Sequence, residues 1–147
     1  MTRTLVGNSF PSRRIVRVST TITIRDETTT GEAANEWTLE VLSEWMTVRE
    51  IIRSRVYQEV QDYHLQNSHE FRGLVQPLAA RESVSGLRRT KTPIDWHEQF
   101  AKAIEAFEKR QILVLINERQ AASLDESFQV GPKTIVCFLR LTLLVGG

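Results

Sequence analysis

The chain has 147 residues, with 19 Lys plus Arg against 18 Asp plus Glu, one Cys and three His. Charge this balanced argues against nucleic-acid binding driven by bulk charge, and a single cysteine excludes an internal disulfide framework and a cysteine-cluster metal site. His64, His69 and His97 never fall into an HxH or HExxH spacing, no apolar run approaches the ~20 residues of a membrane span, and Met1 to Arg14 carries no apolar signal core, so the expectation is a soluble, cytoplasmic, metal-free chain of one domain.

Residues 1–13 contain Gly7, Asn8, Pro11 and two Ser, and read as a flexible arm. Arg3, Arg13 and Arg14 make this end of the chain basic. A period of two begins at Ile15. Val16, Val18, Thr20, Ile22 and Ile24 share one parity, and Arg17, Ser19, Thr21, Thr23 and Arg25 the other. That is a half-buried strand. Asp26 to Glu32 is polar, contains Gly31, and reads as a turn. A second alternation follows, with Trp37, Leu39 and Val41 against Glu36, Thr38 and Glu40, so the two runs predict a hairpin.

The period changes at residue 47. Val48, Ile51, Ile52, Val56, Val60 and Tyr63 fall on one helical stripe. Thr47 and Glu50 have the T-x-x-E spacing of a capping box, with Met46 and Ile51 at the staple positions. Residues 64–92 are polar and irregular, with Arg72, Arg81, Arg88, Arg89 and Lys91, and read as a long loop. Trp96, Phe100, Ala103, Ile104 and Phe107 then predict a second helix over 95–109, capped by Asp95.

Ile112 to Ile116 is a short apolar run between charged residues, and predicts a buried strand. Asn117 to Gln120 and Gly131-Pro132 read as turns. Ile135 to Leu139 is apolar at both parities, which predicts a strand covered on both faces. Cys137 sits within it, so it reads as a core thiol rather than a nucleophile. Trp37 and Trp96 read as core, and Trp45, just before the first helix, as an interface anchor. The element order predicts an α+β fold with one mixed sheet and helices on one face.

The C-terminal third resembles the β-grasp sulfur carriers, the small subunit of molybdopterin synthase and the thiamine-pathway carrier, and ubiquitin-like proteins generally. The residues that carry the resemblance are Val114-Leu-Ile-Asn-Glu-Arg-Gln, Leu124-Asp125, Val130-Gly131, Thr134-Ile-Val-Cys-Phe138 and a short apolar tail ending Gly146-Gly147. The helix start Thr47-Val48-Arg49-Glu50-Ile51 is similar to that of the single helix in those carriers. As a pattern it spans residues 15–63 and 112–147. It implies a β-grasp domain over 14–147 with an insertion at about 64–109, comprising a loop and the second helix, and a diglycine tail over 142–147. The tail reads Thr142-Leu-Leu-Val-Gly-Gly, without the prolines common in the molybdenum carrier. With its arm and insertion the chain is similar to an elaborated bacterial-type ubiquitin-like protein.

In such proteins the chemistry belongs to the terminal carboxylate. A carboxylate is a poor electrophile, so an E1-like enzyme must adenylate it before transfer. Glycine has no Cβ, so two in a row pass through a narrow channel where other residues clash. The resemblance makes Gly147, with Gly146, the acyl donor. It makes Leu143, Leu144 and Val145 the stretch that a partner enzyme recognises. The chain itself is then no enzyme and needs no cofactor; its partners are the adenylating enzyme, E2-like and protease partners, and a target protein. The alternative is a sulfur carrier whose Gly147 becomes a thiocarboxylate, ranked lower because a carrier gains nothing obvious from the extra loop and helix. A further alternative, read from the residues alone, is self-assembly into a homo-oligomer or filament. It would use residues 1–13 and the 64–92 loop, with Arg3, Arg13 and Arg14 meeting Asp26, Glu27 and Glu32 of another copy and Leu5, Phe10 and Trp45 as apolar anchors.

Overall fold

Alternating side chains send Ile22 and Ile24 to one face of the first strand and Thr21, Thr23 and Arg25 to the other. The computed structural model describes residues 18–30, 33–66, 71, 73–75 and 92–141, without the side chains of 33 and 34. Within it β1 (Thr20–Thr28) and β2 (Ala33–Val41) pair antiparallel, with Ile22 opposite Leu39 and Ile24 opposite Trp37. Ile22 and Ile24 are fully buried. Burying such a side chain contributes about 1.5–3 kcal/mol, so a one-residue slip, which would turn the whole row to solvent, is strongly disfavoured. The strand runs two residues past the expected start of the turn, and its register shifts between Asp26 and Glu27.

β3 (Trp45–Thr47) leads directly into α1 (Val48–Leu65). Thr47 Oγ1 accepts from the Glu50 amide at 3.2 Å, and Glu50 Oε2 accepts from the Thr47 amide at 2.7 Å. The capping box therefore forms in both directions. Two further amides of the first turn, on Val48 and Arg49, donate to the carbonyls of Glu126 and Leu124, each at 3.0 Å. Those carbonyls border β6 (Ser127–Gln129), which pairs antiparallel with β3 as a separate small sheet. Val48, Ile51, Ile52, Val56, Val60 and Tyr63 are all buried, and so is Arg55.

The second helix, α2 (Trp96–Glu108), is capped by Asp95, whose side chain accepts from the His97 amide. It packs against α1 and β4 (Ile112–Ile116). Asn117 and Glu118 both adopt positive φ, 48° and 71°, the conformation that a two-residue hairpin turn requires. This turn joins β4 to β5 (Arg119–Gln120), a two-residue strand in a stretch read from sequence wholly as turn. Asn117 also spans to the last strand, β7 (Ile135–Arg140): its amide donates to the Ile135 carbonyl and its Oδ1 accepts from the Ile135 amide, each at 2.9 Å.

The main sheet has the order β2-β1-β7-β4-β5. β7 is parallel to β1 and antiparallel to β4, which makes the sheet mixed. Both helices contribute to one apolar core on one face, with Val136 and Phe138 fully buried beneath them. The architecture is α+β. β7 departs from the expectation of cover on both faces, because Ile135, Cys137 and Leu139 point to the helix-free face and are only half-buried. No helix among the described residues is long and apolar enough to cross a membrane.

Candidate functional site

The end of β7 is where the chain leaves the sheet towards its C-terminus. Arg140, the last residue of the strand, stands in register with Thr28 of β1 and Ile112 of β4. One residue later the Leu141 amide donates to the Gln111 carbonyl at 3.0 Å. The strand is thus held from both sides up to Arg140, and from the β4 side up to Leu141. Gly146, Gly147, Leu143, Leu144 and Val145 lie outside the described residues, as do Leu5, Phe10, Arg13, Arg14 and most of the 64–92 loop.

Beneath this exit lies a set of charges that sequence reasoning missed. Asp26 points inward from β1, on the same parity as Ile22 and Ile24, and is buried. Arg55 points inward from α1. Its Nη1 donates to Asp26 Oδ1 and its Nη2 to Asp26 Oδ2, the latter at 2.8 Å. Its Nε donates to Glu59 Oε1 at 2.7 Å, one helical turn on. Glu59 Oε2 accepts from the Leu74 amide at 3.1 Å. The guanidinium carbon stands 4.3 Å from the ring centroid of Phe138 and 5.0 Å from that of Trp37, a geometry in which the positive charge meets the ring faces. Arg140 Nη2 reaches to 3.9 Å of Asp26 Oδ2 from the rim. Asp26 therefore links the helix, the first strand and the end of the last strand.

Burial pushes the Glu59 carboxyl above its ordinary value, and Arg55 only partly offsets that. Beside it a groove of about 740 Å³ runs between β2 and α1, bordered by Asp26, Glu36, Trp37, Glu59, Asp62 and Tyr63. Its lining is acidic and aromatic. Among the described residues no group of three or more His, Cys, Asp or Glu side chains is placed to hold a metal ion.

Asp26 cannot serve as the accessible acidic patch expected of the 26–32 turn. It belongs to β1 and both its oxygens are taken by Arg55. The turn expectation failed because a carboxylate on the inward parity of a strand reads as a break unless its cation is recognised. Arg55 was legible in principle: it falls on the helical stripe between Ile52 and Val56, with Glu59 four residues on. Glu27 stays on the surface at 4.0 Å from Arg25, and Glu32 lies outside the described residues.

Trp45 is 59% exposed. It sits on β3 opposite Gln129, by a groove that includes Ile116, Pro132 and Thr134. Thr134 precedes β7 and Arg140 ends it, so Trp45 and the tail exit lie at opposite ends of a strand about 17 Å long. The structure does not bring them together. Trp37 and Trp96 are partly buried against the two apolar clusters, in line with packing roles. Cys137 is half-buried on the helix-free face, and burial, then the nearby Glu27, push its thiol up to about 11. His97 is exposed beside Asp95, and His64 Nε2 accepts from the Ile94 amide.

No protein-family profile, curated protein or solved structure matches this chain.

Proposed function

We propose that the chain is a ubiquitin-like protein of the β-grasp superfamily, and that the carboxylate of Gly147 is its working group. What supports this reading is the mixed sheet β2-β1-β7-β4-β5, with α1 following the first hairpin and the last strand in the centre, parallel to the first. A mixed sheet with a helix packed on it is compatible with a β-grasp-like fold. Six residues, 142–147, follow the described end of the chain at Leu141, and six residues, if extended, reach at most about 20 Å. That is enough for a tail to enter a partner's active site while the domain stays outside.

In the proposed sequence the Gly147 carboxylate attacks the α-phosphorus of ATP on an E1-like enzyme, and pyrophosphate leaves. A thiolate of the conjugation machinery then attacks the acyl-adenylate and displaces AMP, giving a thioester. An amine of the target attacks the thioester, and the thiol leaves as the amide forms. Gly146 and Gly147 supply the narrow passage. Leu143, Leu144 and Val145 supply the apolar stretch that the enzyme holds.

The test is ATP–pyrophosphate exchange with an E1-like enzyme from the same source, followed by mass spectrometry of the protein recovered from its native cell. The expected results are exchange lost on deletion of Gly146 and Gly147 with folding unchanged, and Gly147 joined to a lysine of another protein. Unchanged exchange with the truncated chain overturns the reading. A C-terminus carrying sulfur in place of one oxygen replaces it with the sulfur-carrier reading.

A further inference from the structure

Among the described residues, β2 stands at one end of the main sheet with β1 as its neighbour. Alternate residues of such a strand turn their N–H and C=O groups away from the sheet, a row that another extended segment can bond. Along the described residues 35–41 this edge lacks two common guards, a proline and a bulge, and carries its charge as glutamates. Residues 35–41 hold neither Pro nor Lys, and the one register shift lies near the turn rather than along this stretch. On the helix-free face the edge presents Glu36, Thr38 and Glu40, all exposed. Glu36 shares Arg25 at 3.0 Å, and Glu40 has no ion-pair partner among the described residues.

A second copy of β2 is the wrong occupant. Antiparallel edge-to-edge pairing would set the glutamates of both copies against each other on one face, and like charges directly opposite destabilise a sheet. The fitting occupant is a strand with cations four residues apart. This chain contains one, Ser12-Arg13-Arg14-Ile15-Val16-Arg17, in which Arg13, Ile15 and Arg17 share a parity.

We infer that residues 12–17 of one copy add as an antiparallel strand to the free edge of β2 in another. In this pairing Arg13 stands opposite Glu40, Ile15 opposite Thr38 and Arg17 opposite Glu36, while Val16 falls opposite Trp37 on the helix side. Pro11, which has no N–H, ends the segment. The pairing is out of reach within one chain. Arg17 opposite Glu36 would lie two strands across and five residues along from Thr20, about 19 Å, while the three chain steps from Arg17 to Thr20 span at most about 11 Å. Each copy offers one segment and one edge on different surfaces, so the contact is heterologous and closes into rings or runs on as filaments. It is independent of the chemistry of the tail.

The experiment is sedimentation velocity of the full chain over a range of concentrations at low salt, with folding followed by circular dichroism. Wild type assembles with rising concentration. The E36K/E40K variant and the R13E/R17E variant each sediment as monomers, and an equimolar mixture of the two assembles again, because each then offers the arm that suits the other's edge. A wild type that stays monomeric at every concentration overturns the inference. So does either variant assembling as wild type does, or a mixture that fails to restore assembly. Deleting Gly146 and Gly147 leaves the assembly unchanged while testing the tail, so the two readings fail separately.

Discussion

Arg55 grips both carboxylate oxygens of Asp26 where the two side chains are only 1% and 7% exposed. The pair ties the helix to the strand beneath it, and Glu59 takes the remaining Nε donor. Removing one partner of a buried ion pair leaves the other charge desolvated and unpaired, which costs about 3–5 kcal/mol. Arg55→Met is expected to lose stability on that scale in a chemical-denaturation experiment. Replacing Asp26, Arg55 and Glu59 together by Leu, Met and Leu should recover most of the loss, since apolar side chains of similar volume often replace such a cluster at little cost. A loss below ~1 kcal/mol for Arg55→Met would show that the pair does not hold the helix.

Glu59 gives the fold a pH dependence. Its folded-state value is raised by burial above the ordinary 4.5, so between that value and the raised one the native state binds more protons than the unfolded state. Stability then falls as pH rises through this window and levels off above it. Glu59→Gln retains an acceptor oxygen for Arg55 or Leu74 but cannot titrate. Melting temperatures of the two proteins measured from pH 4 upward should differ by a curve that declines with pH for wild type and is absent in the variant. A difference curve that rises with pH contradicts the assignment.

Cys137 should react slowly although it is half-exposed. With its thiol at about 11, about one part in ten thousand is thiolate at pH 7, against a few per cent for an ordinary cysteine. Iodoacetamide labelling at pH 7 is expected to run about a hundredfold slower in the native chain than in denaturant. Glu27→Gln removes the second cause of the shift and should speed the native reaction. Equal rates in native and denatured chains would refute this.

Gly73 is fixed by its neighbours. A Cβ built there would run into Cε1 and Cζ of the Phe71 ring and stand 3.3 Å from Glu59 Oε2. Phe71 packs with Val60 and Tyr63, and its ring lies edge-on to Tyr63 at 5.4 Å. Gly73→Ala must displace that ring, and overpacking of this kind costs about 1–3 kcal/mol. The variant is expected to melt lower than wild type, and Gly73→Ala with Phe71→Leu should melt higher than the single Gly73 variant. An unchanged melting temperature for Gly73→Ala would count against the contact.

The parts of this fold legible in the sequence are those fixed by local spacing. Thr47 and Glu50 announce the start of α1 because the capping box needs only four residues, and Ile112 to Ile116 announces β4 because a short apolar run between charges has few other uses. What escaped depends on distant partners. β5 and β6 are two and three residues long, and β5 exists because Asn117 and Glu118 turn it back onto β4. Arg55 is a charged residue on an apolar stripe, and becomes intelligible only when Asp26, 29 positions away, is seen to point at it. At the candidate site the strand leading to the diglycine was legible and its charged foundation was not.

Placing β7 in the middle of the sheet also fixes how the domain bears a mechanical load. A pull on the chain beyond Arg140, directed along the strand, does not peel β7 from an edge one bond at a time. It shears β7 against β1 and β4 together, across six register positions on one side and five on the other. Ladder bonds lie across the strand direction, so a lengthwise pull loads them side by side. The same pull on β2, which has a single neighbour among the described strands, meets one ladder. A machine that grips the tail end therefore meets the stiffest strand of the fold first.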